Sequence, residues 1–98
     1  MDEIDLCNVI ADVRQRTAEV WLNADEAAKG DHRRRWELVR GGESELAEYL
    51  RATYDAKIIE NSNAITIRMC GVSSSATAGL NAAFTNWANA AARRVDAS

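Results

Sequence analysis

The chain has few of the side chains on which most enzymes and metal sites depend. Its 98 residues include one histidine, His32, and two cysteines, Cys7 and Cys70. These residues form no pair at metal-ligand spacing, and no two carboxylates stand out from the surface charge around them. A nucleophilic cysteine would also need a base beside it. We therefore predict no catalytic residue, no metal, no cofactor and no enzymatic activity.

The sequence also lacks a disulfide framework and any long hydrophobic run. No stretch approaches the roughly 18 to 20 apolar residues of a membrane-spanning helix. Asp2, Glu3 and Asp5 stand where a secretory signal would carry cations. The sequence therefore predicts a cytoplasmic protein in which Cys7 and Cys70 are free thiols.

The composition is typical of a globular protein and excludes the disordered and fibrous classes. Charged residues make up 28%, hydrophobic residues 47%, and the net charge is -3. Two independent cores rarely fit in so short a chain, so we predict a single domain over residues 1–98. Ala accounts for 18 residues, which leaves a small core, and self-association as a homodimer would supplement it.

Three segments have the apolar spacing of amphipathic helices. In the first, apolar residues recur at steps of three and four from Leu6 to Trp21, and Lys29-Gly30 indicates the stop, although Asn23 could end the helix earlier. The second is predicted to begin at Ser44, after the punctuating pair Gly41-Gly42. The apolar stripes of the second and third helices are Leu46, Tyr49, Leu50 and Tyr54, and then Leu80, Phe84, Trp87, Ala91 and Val95.

Strand patterns fill the rest of the chain. Residues 57–60 and 64–70 flank the turn-forming Asn61-Ser62-Asn63, which predicts a β-hairpin with one solvent-exposed face. In segment 31–40, Trp36 and Leu38 alternate with the residues around them, a pattern that permits an edge strand as well as a short helix. We interpret this segment as a third strand. The predicted fold class is α+β: a small antiparallel sheet, made of the hairpin and this third strand, covered by three helices.

A strongly basic patch occupies segment 32–40. Arg and Trp are frequent anchors of protein interfaces, so we predict that the chain docks on a host protein without turnover chemistry. The same side chains could pair with phosphates and stack on bases, which makes a nucleic-acid-binding regulator the alternative, although a pI near 5.1 argues against it. A solvated charged face is the remaining interpretation. The predicted partner-binding residues are Arg33, Arg34, Arg35, Trp36 and Arg40.

Two further surfaces are candidates for binding. The turn around Ser73–Ser75 precedes a predicted helix, where unpaired backbone N–H groups attract phosphate, so a small-anion or nucleotide site is a further alternative. Simple helix capping by Ser74 or Ser75 explains the same turn. The acidic residues of the first and second helices could form a negative surface that repels or mimics nucleic acid, or that serves solubility alone.

The C-terminal third carries a resemblance to known proteins. Its residues are ITIRMCGVSSSAT (65–77), followed by Leu80, Ala83, Asn86-Trp87 and Arg93-Arg94. This segment resembles the C-terminal part of small phage and prophage proteins, which share a strand, a Gly-hydrophobic-Ser/Thr turn and an Asn-Trp helix. Phage accessory proteins of this size are often stoichiometric inhibitors of host machinery, anti-CRISPR proteins among them. The resemblance therefore implies an inhibitor or modulator of a host protein.

Overall fold

The computed structural model describes residues 5–97, which form three helices and a three-stranded antiparallel sheet, so the α+β prediction is confirmed. The strands lie in the order β1-β2-β3. Helix α3 packs on one face of β2 and β3, while α1 packs on both α2 and α3. The elements are α1 (Leu6–Ala28), α2 (His32–Tyr54), β1 (Lys57–Glu60), β2 (Ile65–Met69), β3 (Val72–Ala76) and α3 (Leu80–Ala97).

Helices α1 and α2 form an antiparallel hairpin with well-defined ends. The Asp5 carboxylate accepts a hydrogen bond from the backbone N–H of Cys7 and caps α1. Lys29, with φ 50°, is left-handed and ends the helix at the predicted stop. After Gly30, the Asp31 carboxylate accepts from two backbone N–H groups and starts α2. Only Gly30 therefore separates the cap of one helix from that of the next.

The prediction of a third strand at 31–40, and of a helix beginning at Ser44, was wrong. Both segments belong to the single helix α2, and the pair Gly41-Gly42 lies inside it. The missing side chain of Gly42 lets α1 approach, because a Cβ there would lie 2.9 Å from a methyl carbon of Val20. Packing against α1 therefore offsets the low helix propensity of the two glycines.

The third strand is β3, which contains the serines predicted as a helix cap. Cys70 and Gly71 both have positive φ, 53° and 77°, and form a two-residue turn of type I′ between β2 and β3. Val72 and Ala76 are buried under α3, so the segment follows the two-residue period of a strand. The predicted hairpin β1–β2 is confirmed in its position.

Helix α3 covers the sheet and holds the β2–β3 turn. Trp87 is fully buried, and its indole N–H donates to the carbonyls of Met69 and Val72 at 3.3 and 3.2 Å. Arg94 donates to the carbonyl of Gly71 at 2.9 Å. The core of the molecule thus lies where α3, the sheet, the first half of α1 and the second half of α2 meet. Within residues 5–97, no helix has the length and hydrophobicity to cross a membrane.

Candidate functional site

The free end of the α1–α2 hairpin carries an exposed aromatic surface. The indole of Trp36 is 62% exposed and lies edge-on to Trp21, with ring centroids 6.4 Å apart. A large apolar side chain with such exposure has a cost in water and often marks a contact surface. Leu22, which follows Trp21 on α1, is equally exposed.

The predicted partner-binding residues lie on one helix but on different faces of it. At 3.6 residues per turn, Arg33, Trp36 and Arg40 share a face, which we call the Trp36 face. Arg34 is two residues from Trp36 and therefore points to nearly the opposite side of the helix. Arg35 instead points to α1, where its guanidinium lies 4.9 Å from the centre of the Trp21 ring and forms an ion pair with the carboxylate of Asp25. Arg35 therefore joins the two helices, and the other four residues are exposed.

The Trp36 face carries a carboxylate as well as arginines, because Glu37 lies about one helical turn from both Arg33 and Arg40. Within residues 5–97, neither Arg33 nor Arg34 has an ion-pair partner. Both lie in the first turn of α2, where the helix dipole disfavours cations. Arg40 interacts with Glu43, one turn further along the helix. Partial burial raises the pKa of Glu43, while the backbone N–H of Asn81 and the charge of Arg40 act to lower it. Arg33 and Arg34, in the first turn of α2, are thus more available to a partner's carboxylates than Arg40 is.

Trp21 and Leu22 were not among the predicted partner-binding residues. Trp21 belongs to the apolar stripe of α1, so its spacing indicated only a core residue. Leu22 falls outside that stripe. A large apolar residue on the polar side of an amphipathic helix is a sequence signal for an exposed contact residue. The proximity of Trp21 to Trp36 depends on the hairpin geometry.

The structure does not bring the two thiols and the histidine together. Cys7 lies at the start of α1 and His32 follows its end, so the 23 residues of the helix separate them by roughly 30 Å. Both cysteines are free, as predicted. Burial raises the pKa of the Cys70 thiol, which keeps it protonated. Residues 5–97 contain no group of three side chains that could hold a metal ion.

The alternative anion site at Ser73–Ser75 lacks the geometry on which it was based. These serines are paired with β2 along the strand, and α3 begins only at Leu80. The segment therefore presents no row of free N–H groups at a helix start. The exposed hydroxyl groups of Ser73 and Ser75 lie on the outer face of the sheet.

A polar cluster between α1 and α2 is a further feature that the sequence analysis missed. The hydroxyl groups of Tyr49 and Tyr54 both donate to Oδ2 of Asp12 at 2.6 Å, and Nε of Arg16 donates to Oδ1 at 2.7 Å. Burial and the bond to Asp12 raise the pKa of Tyr54. Every member of the cluster has a partner, so the cluster joins the helices and presents no group for a ligand.

Comparison with family models, curated proteins and solved structures gives no match to this chain. The resemblance of residues 65–94 to phage proteins therefore stays a prediction. The function has to be inferred from the surface that the fold presents.

Proposed function

We propose that this chain is a small non-enzymatic binding protein that docks through the Trp36 face on an acidic surface of a host protein. The observation that carries the proposal is an indole 62% exposed, about one helical turn from Arg33 and Arg40, neither of which forms an ion pair within residues 5–97. Trp and Arg contribute most of the binding energy in many interfaces. Such docking is stoichiometric, so the chain would act as an inhibitor or modulator.

The partner's acidity follows from the charge at the first turn of α2. Arg33 and Arg34 are held at the positive end of a helix, where they contribute nothing favourable to the helix dipole. A carboxylate surface that meets the Trp36 face would pair with the guanidinium group of Arg33 and accept its planar donors. The exposed indole would then fill an apolar depression beside those carboxylates.

The mobile-element origin suggested by the sequence is part of the proposal. Proteins of the class that residues 65–94 resemble act on host machinery, and this points to a bacterial target. The contact surface itself is argued from the exposure of Trp36 and the charge of Arg33. The same surface could hold nucleic acid, and the experiment distinguishes the two partners.

The test compares three variants of the full chain with the wild type. Trp36→Ala and Arg33→Glu change the Trp36 face, and Arg93→Glu makes the same charge change at an exposed position of α3. Tagged proteins are used to recover bound protein from a host lysate, and the recovered protein is purified and titrated with each variant. We expect a one-to-one complex whose affinity falls at least about tenfold in Trp36→Ala and Arg33→Glu only. The melting temperature of each variant controls for folding.

Two results would contradict the proposal. If the three variants bind the purified partner as the wild type does, the contact lies elsewhere. If the chain retards RNA or DNA in a gel at low salt, with affinity that falls steeply as salt rises, the nucleic-acid alternative is correct. Should Arg33→Glu fail to fold, Arg33→Gln removes the charge with less disturbance and decides the question.

A further inference from the structure

The pattern of hydrogen bonds in the sheet can be followed from the β2–β3 turn. The two-residue turn Cys70-Gly71 makes Met69 and Val72 a hydrogen-bonded pair. Such pairs alternate with non-hydrogen-bonded pairs along antiparallel strands. Arg68 therefore directs its backbone N–H and carbonyl away from β3 and toward β1.

The same alternation leaves the outer edge of β1 open. The backbone groups of Ile59 form hydrogen bonds to β2. The Asn61 N–H, two residues further along, follows the same alternation and donates to the Ala64 carbonyl at 3.0 Å. Ile58 and Glu60 consequently direct their backbone groups away from the sheet. Within residues 5–97, none of these four groups has a hydrogen-bond partner.

The two edges of the sheet differ in their protection. At the outer edge of β3, the side-chain amide of Asn86 on α3 donates to the carbonyl of Ser75 at 3.1 Å. At the edge of β1 no such cover exists within the described residues, and Ile59 is 53% exposed on the open face beside it. An uncovered edge next to a large apolar residue is a site for strand pairing.

The open edge of β1 is complementary to itself. Two antiparallel copies can be placed with Ile58 of each opposite Glu60 of the other, which forms four backbone hydrogen bonds. Ile59 then faces Ile59 of the second copy on the symmetry axis, at a non-hydrogen-bonded position where side chains are closest. Side chains that face each other across this pairing share a face of the sheet, so Ile58 and Glu60 lie on the helix-covered face and Ile59 lies on the open face.

We propose that β1 pairs with β1 of a second copy of this chain, joining two three-stranded sheets into one antiparallel sheet of six strands. The contact is short compared with the interfaces of stable dimers. We therefore expect a weak, concentration-dependent dimer. Because the hairpin end with Trp36 is separate from β1, the dimer would present the Trp36 face twice.

The experiment is sedimentation equilibrium of the full chain at increasing concentration. Ile59→Lys places two like charges on the symmetry axis, and Ser75→Lys adds the same charge to the same face of the sheet at the opposite edge. We expect the wild type and Ser75→Lys to approach the mass of two copies, and dimerisation of Ile59→Lys to be weakened at least about tenfold. Circular dichroism confirms that the variants are folded.

A cross-link provides the second measurement and remains decisive if Ile59→Lys does not fold. In a Cys7→Ser background, Ile59→Cys should form a disulfide-linked dimer on mild oxidation, because Cα atoms at such a pair lie about 4.5 to 5.5 Å apart. Ser75→Cys in the same background should stay monomeric. A monomer mass at all concentrations, or a dimer that Ile59→Lys does not weaken and Ile59→Cys does not link, would overturn the proposal.

Discussion

Asp12 is the acceptor that joins α1 to the second half of α2, and its replacement by Asn tests this account of the hairpin. Hydrogen bonds to charged groups contribute roughly 1.5 to 3 kcal/mol each, and the carboxylate accepts two tyrosine hydroxyl groups at 2.6 Å. The pair with the half-exposed Arg16 adds only about 0.5 kcal/mol. Because Asn keeps one oxygen, we expect Asp12→Asn to lower the free energy of unfolding by about 2 kcal/mol at pH 7.

The pH dependence of this difference follows from the pKa of Asp12. Partial burial raises this pKa, but the hydrogen bonds from Tyr49, Tyr54 and Arg16 outweigh the effect and leave it below the ordinary value. In the unfolded chain an aspartate titrates near pH ~4. The contribution of Asp12 is therefore fully present above that pH and is lost as the pH falls through the lower, folded-state pKa.

Urea unfolding of the wild type and Asp12→Asn over a series of pH values measures the difference. It should be constant from about pH 5 upward and should shrink below about pH 4, because only the wild type loses its charge at position 12. Tyr54→Phe is the control: it removes one bond but keeps the charge, and should cost about 1.5 kcal/mol. The reasoning fails if the difference at pH 7 is negligible, or if it persists unchanged at the acid end.

Two further predictions concern stability in chemical or thermal unfolding. Gly41→Ala should stabilise by about 0.5 to 1 kcal/mol, since its Cβ would meet open space, whereas Gly42→Ala should be at least about 1 kcal/mol worse than Gly41→Ala because its Cβ would press on Val20. Equal effects of the two glycine changes would refute the close approach of the helices. Cys70→Asn should stabilise by about 0.5 to 1 kcal/mol, because Asn tolerates the left-handed backbone of the type I′ turn better than Cys does. A lower melting temperature would show that packing of the half-buried thiol matters more.

The predictable parts of the fold are those in which apolar residues repeat with the spacing of only one type of secondary structure. The stripe of α1 and the stop at Lys29 are of this kind, as are the β1–β2 hairpin and the stripe of α3 around Trp87. Each combines a regular apolar repeat with a recognisable end. Local pattern and tertiary packing then agree.

The wrong predictions arise at two segments, and only the first of them depends on a distant neighbour. Gly41-Gly42 looked like a helix boundary, and only the approach of Val20 on α1 explains why the helix continues through it. The serines after Cys70-Gly71 looked like a cap, although the pair has the length and the glycine of a hairpin turn. The arginines and Trp36 of the candidate site were named from the sequence. Their distribution over different faces follows from the segment being a helix and not a strand.

The hairpin end with Trp36 rests on a separate and smaller set of buried side chains. Ala24, Ala28 and Val39 are buried there but are not part of the main core. Their small apolar area implies that this end opens locally at a lower free energy than the whole molecule unfolds. Backbone amides near residues 24–39 should therefore exchange with solvent sooner than those around Val13 or Trp87. Any partner that settles on this end would slow that exchange selectively, so isotope uptake would reveal where it sits even before its identity is known.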